Sequence, residues 1–171
     1  GGNSLNTSAM NAGTEKNRSN LSVNNFKNEW TDIMNYCMFF QSIIIWIPFN
    51  QGWGQFDTIQ VVTDTKNLDP SRLIDSASGG NYKNCGQILD LHYYPAPNYE
   101  PNKDLNSSNY INVIGEYGGL ALEIKHHTWD ENIYGHMLLK SKDEITSLYE
   151  QYIDKLVAYS KVGISGAIYT Q

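Results

Sequence analysis

The chain has 171 residues, 40% of them apolar, 12% aromatic and 18% charged, with a formal net charge of -6. That length can bury one sizeable core and is too short for two ordinary domains. An acidic balance with scattered basic residues argues against a nucleic-acid partner, which needs clustered Lys and Arg. The lack of an apolar run of about 18 residues argues against a membrane span.

Residues 1 to 24 are dominated by Gly, Asn, Ser and Thr, which cannot offset ordering entropy, so they read as a polar loop or disordered lead-in. Phe26, Trp30, Ile33, Met34 and Cys37 then recur at helical spacing and predict a helix facing a core. "SIIIWIPFN", 42 to 50, is β-branched, nearly all apolar and interrupted by Pro48, as suits a parallel strand buried on both faces. After it, Asp57 and Gln60 are placed for a capping box on a helix that Pro70 closes.

Two shorter strands follow, "RLIDSAS" (72 to 78) and "QILDLHYYP" (87 to 95), and then a Pro- and Asn-rich loop. "YINVIGEYGG" ends a further strand on an acid followed by two glycines. A polar loop containing "HHTWDEN" leads to the clearest helix, 141 to 162. There Ser141 and Glu144 form a capping box, Ile145, Leu148, Tyr152, Ile153, Leu156 and Val157 make one stripe, and Gly163 terminates it. "ISGAIYTQ" reads as a last strand. Five strands with two long helices between them are the grammar of a parallel α/β fold, with a doubly wound open sheet or part of a (β/α)₈ barrel as the candidate architectures.

Glu116 is the leading chemical candidate, because an acid at the end of an apolar strand is rare unless it is paired or functional. Catalytic and salt-bridged roles both fit it. In "LDLHYYP" the alternation sends Asp90, His92 and Tyr94 to one face. Trp53 and Trp129 lie in loops, where an indole either packs or stacks on a sugar. His126, His127 and His136 lack metal-ligand spacing, so no metal is expected. Cys37 and Cys85 lack it too and read as free thiols. Nucleotide, serine-hydrolase and zinc-protease motifs are missing, and no cofactor is expected. The compartment stays open.

"WIPFNQGWGQFDT", "LDPSRLIDSASGG", "ILDLHYYPAP", "VIGEYGGLAL", "HHTWDENIYG" and "GAIYTQ" resemble, in order and spacing, the catalytic barrel of glycoside hydrolase family 2, the β-galactosidase- and β-glucuronidase-like enzymes. The resemblance runs from about residue 25 to 171. It implies a partial (β/α)₈ barrel, roughly strands four to eight, with strands one to three and β-sandwich domains supplied by a longer chain. It also implies a retaining β-glycosidase acting on a carbohydrate substrate. Glu116 falls on the nucleophile, Gln51 on the general acid/base, and Asn50 on the residue that touches the sugar 2-hydroxyl. His92 and Tyr94 fall on cleft residues, and Trp53, His127 and Trp129 are expected to contact substrate. The family has Glu where Gln51 stands, and an Asn-His-Pro turn where this chain has "MFFQSI". An impaired glycosidase and a carbohydrate-binding pseudoenzyme are therefore the two functional expectations.

Overall fold

The computed structural model describes residues 15–52, 54–80, 82–100, 109–129 and 133–170. Among these are three helices and seven strands, an α/β mixture. The order is α1 (Asn20–Cys37), β1 (Ile45–Trp46), α2 (Thr58–Leu68), β2 (Leu73–Ile74), β3 (Ile88–Tyr93), β4 (Ile111–Gly118), β5 (Leu120–Leu122), β6 (Met137–Leu139), α3 (Lys142–Ser160) and β7 (Ile164–Thr170). The pairs β1 with β2, β4 with β7 and β5 with β6 are all parallel. None of the described helices is long and apolar enough to cross a membrane. The described residues fall into two compact units.

The first unit comprises residues 15–90 and 109–111. Helix α1 starts inside the stretch expected to be a lead-in. Ser19 accepts a hydrogen bond from the Ser22 amide and so satisfies an end group that the polar residues after it would otherwise leave open. Met34 is fully buried on α1, and Phe26 stacks on Phe49 at 5.3 Å, but Ile33 is exposed, contrary to its place in the expected core stripe. Trp46 and Ile74 join Met34 in the core.

The expected strand 42 to 50 is shorter and more one-sided than its composition suggests. Only Ile45 and Trp46 are strand residues, and Ile44 and Ile47 are exposed. Parallel contacts nevertheless continue past it, since Ser78 donates to the Phe49 carbonyl and Asn50 bridges Ser78. The expected strand 72 to 78 likewise shrinks to Leu73 and Ile74. Helix α2 forms, but the Asp57–Gln60 capping box does not. Asp57 takes a left-handed φ of 42°, Gln60 bonds Asp64, and the Thr58 amide is capped at 2.9 Å by the carboxylate of Glu15. Cys37 and Cys85 are half-buried free thiols, and burial pushes the Cys85 thiol up.

The second unit comprises residues 91–100, 112–129 and 133–170. The order β3, β4, β7 makes a three-stranded sheet in which Leu91 and Ile114 are almost wholly buried. Strands β5 and β6 were not expected, because three residues are too few to show a period. Their register sets Leu120 against Met137. On α3, Ser141 accepts from the Glu144 amide as expected, while the Glu144 carboxylate accepts from the Lys140 amide in place of the Ser141 one. Tyr152 is the buried centre of the stripe, whereas Ile153 and Val157 are exposed. Gly163 has the positive φ, 121°, of a helix terminator.

Candidate functional site

Strand β4 carries Glu116 two residues before its end, with the side chain 20% exposed. The Tyr94 hydroxyl, just past the end of β3, donates to Glu116 Oε2 at 2.7 Å. His92, a buried β3 residue, brings Nδ1 to 3.2 Å from the same oxygen, a contact that becomes an ion pair when the imidazole is protonated. The alternation that puts His92 and Tyr94 on one face of β3 is what lets both reach one carboxylate. A carboxylate gripped at one oxygen presents the other in a fixed direction. That is the property a nucleophile or a ligand-gripping acid needs.

Tyr94 is itself enclosed. Its ring stacks on His136 with centroids 3.8 Å apart and planes 16° from parallel, and Tyr134 lies edge-on to His136 at 5.8 Å. Burial pushes the Tyr94 phenol up to about 12; a hydrogen bond with Thr170 partly offsets this, and Glu116 adds to it. The group therefore remains a proton donor to Glu116 throughout the physiological range. Gly119, at a φ of 66°, makes room for the stacked His136, and Gly118, at 106°, makes room for Tyr169. A Cβ at Gly119 would lie 2.5 Å from His136 Cδ2, and at Gly118 2.5 Å from the Tyr169 ring.

The structure thus brings together three of the expected residues, Glu116, His92 and Tyr94, and adds His136, Tyr134 and Thr170. His127 and Trp129 are exposed on the loop between β5 and β6, and Trp129 is as open to water as an isolated side chain. Trp53 lies outside the described residues. No group of three His, Cys, Asp or Glu among the described residues is arranged to hold a metal ion.

Asn50 and Gln51 belong to the first unit. The backbone there is tied to Ser78 from both sides: Ser78 N donates to Phe49 O at 2.9 Å, and Gln51 N donates to Ser78 O at 2.7 Å. Gln51 has a φ of 56°, a left-handed conformation that costs a non-glycine residue about 1–2 kcal/mol and that surrounding structure must enforce. Ser78 Oγ donates to Asp90 Oδ2 at 2.7 Å, and Asp90 is in turn hydrogen-bonded to Asp75.

Asp75 and Asp90 are both buried. Burial and then the neighbouring Asp90 charge push the Asp75 carboxyl up to about 9, so it holds the shared proton at neutral pH. Folding therefore takes up a proton here, and this contribution to stability is fully present below about pH 4 and is lost as the pH rises toward 9. Asp75→Asn keeps a donor toward Asp90 and an acceptor for the Ala77 amide, which now bonds Asp75 Oδ1. We expect it to flatten the alkaline fall in melting temperature and to stabilise the fold at pH 8 by about 1 kcal/mol or more, the worth of one pKa unit. Thermal unfolding from pH 5 to 9 measures this, and parallel curves for the two proteins would refute the shared proton.

Compared with known proteins, the chain matches no family model, and no curated protein matches it.

Proposed function

We propose that the chain carries the nucleophilic carboxylate of a retaining β-glycosidase, β-galactosidase-like in type, on the C-terminal part of a (β/α)₈ barrel. The observation that carries this reading is the hydrogen bond from Tyr94 to one oxygen of Glu116, with His92 Nδ1 3.2 Å from the same oxygen, at the end of a parallel strand. Active sites of such barrels lie where strands end. The parallel pairing, and the placing of Asn50, Tyr94, Glu116 and Thr170 at or beyond strand C-termini, support the architecture.

In this mechanism Glu116 attacks the anomeric carbon and forms a glycosyl ester. The glycosidic C–O bond breaks, and its electron pair leaves with the aglycone oxygen. Water then attacks the same carbon, releases the Glu116 carboxylate and gives its proton to solvent. In the family the departing oxygen is protonated by an acid at the place of Gln51, and an amide cannot do this. Aglycones that leave as stable anions are therefore the favoured substrates.

The test is covalent trapping. An activated fluoroglycoside with a dinitrophenolate leaving group is expected to label the intact protein once, with the added mass on the peptide containing Glu116. Galactoside, glucoside and glucuronide versions would sort the sugar. Labelling elsewhere, or none with any of the three, would reject the mechanism.

A second reading, carbohydrate binding without turnover, is favoured by Gln51 itself and by the exposure of Trp129. It predicts saturable binding of oligosaccharides with no labelling by any activated glycoside.

A further inference from the structure

The imidazole of His136 has no role in the reading above, yet its placement is built with some care. The parallel register of β5 and β6, with Met137 N donating to Gly119 O at 3.1 Å, brings residue 136 to Gly119. Gly119 lacks the Cβ that would strike the imidazole, and its positive φ is one that side-chain-bearing residues rarely adopt. Tyr134 closes on the imidazole edge-on. The exposed His136 ring then lies flat against Tyr94, whose hydroxyl meets Glu116 Oε2. Gly119, His136, Tyr94 and Glu116 thus form a chain of contacts ending on the candidate nucleophile.

We propose that His136 is a positioning residue, whose ring stacked on Tyr94 fixes the phenol that holds the Glu116 carboxylate in its attacking direction. The inference deepens the glycosidase reading and rests on it for its kinetic consequence, though not for its physical one. Stacking of two aromatic rings is a modest interaction, so its loss should misplace Tyr94 for part of the time without unfolding the protein. Removing the ring also opens one face of Tyr94 to water. The burial that raises its titration would then be relieved.

The experiment compares the intact protein with His136→Ala, His136→Phe and Tyr94→Phe, and with the double variant Tyr94→Phe/His136→Ala. The rate of labelling by the dinitrophenyl fluoroglycoside is expected to fall about 3- to 10-fold in His136→Ala, the scale of one aromatic pair. His136→Phe, which keeps a flat ring, should label at close to the parent rate. In the Tyr94→Phe background, His136→Ala should have no further effect, because the phenol through which it acts is gone. The second readout is carbon NMR of tyrosines labelled at the phenolic carbon, with the Tyr94 signal assigned by its loss in Tyr94→Phe. Its titration midpoint should move from about 12 toward the ordinary value of 10.0 in His136→Ala and stay high in His136→Phe.

If the parent protein is never labelled, the glycosidase reading fails, and the Tyr94 titration alone decides whether His136 positions the phenol. An unmoved titration in His136→Ala overturns the proposal. So does an equal slowing by His136→Ala with and without the Tyr94 hydroxyl.

Discussion

On the glycosidase reading, replacing Gln51 with glutamate is expected to raise the turnover of an unactivated β-glycoside by about 10²- to 10⁴-fold, the usual contribution of a general acid. The substitution changes an amide for a carboxyl of the same shape. The backbone that presents it is already fixed, with Gln51 N donating to Ser78 O and the neighbouring Phe49 carbonyl accepting from Ser78 N. Glutamate tolerates the left-handed φ of 56° no worse than glutamine does, so the new carboxyl should meet the same surroundings. The gain should depend on the aglycone. In kcat/KM, which reports the first bond cleavage, alkyl glycosides, whose leaving oxygen must be protonated, should benefit most and dinitrophenyl glycosides hardly at all. The second step, where the same carboxyl acts as base on water, should gain equally for every aglycone. Values of kcat/KM across a series of aryl and alkyl aglycones would measure this, and a uniform change in kcat/KM across the series would show that residue 51 is not the acid/base position.

In that Gln51→Glu background, Glu116→Gln is expected to remove turnover almost entirely, on the order of 10⁶-fold, the scale reached when a covalent nucleophile is lost from another hydrolase. The amide oxygen can still accept from Tyr94, which now donates to Glu116 at 2.7 Å, so the fold should survive the exchange. Covalent labelling should vanish with it. Glu116→Ala with added azide gives the complementary result. The small anion can occupy the vacated volume and attack the anomeric carbon, and the product should be a glycosyl azide of inverted configuration. Retained activity in Glu116→Gln would move the nucleophile elsewhere.

The parts of the fold that were legible in the sequence are those whose signal is local and long. The α3 stripe around Tyr152 and the alternation in β3 and β4 repeat often enough to be read, and the alternation placed His92 and Tyr94 together in advance. What escaped was set by partners distant in sequence. The α2 start looked like a capping box, but Glu15, forty-three residues before Thr58, supplies the cap instead. "SIIIWIPFN" looked buried because every residue in its centre is apolar, yet burial also needs a neighbour on each face, and Ile44 and Ile47 meet water. His136 was considered only as a metal ligand, since nothing in "YGHML" announces that a three-residue strand pair will set it on Tyr94. The carboxyl pair Asp75 and Asp90 was equally hidden, because contacts such as the bridge of Asp75 to Ile88 and the bond from Gln87 N to Ile74 O, and no local pattern, bring the two chain segments side by side.

The complete exposure of Trp129 has a practical corollary. Trp30 and Trp46 are packed together and their indole N–H groups are bonded to Thr65 and Asp69, so their fluorescence should be insensitive to events at the surface. An indole standing in water emits toward the red, and a sugar ring laid across it would draw the emission to the blue. On the carbohydrate-binding reading, a blue shift that is lost in Trp129→Phe would report glycan occupancy whether or not any bond is cut.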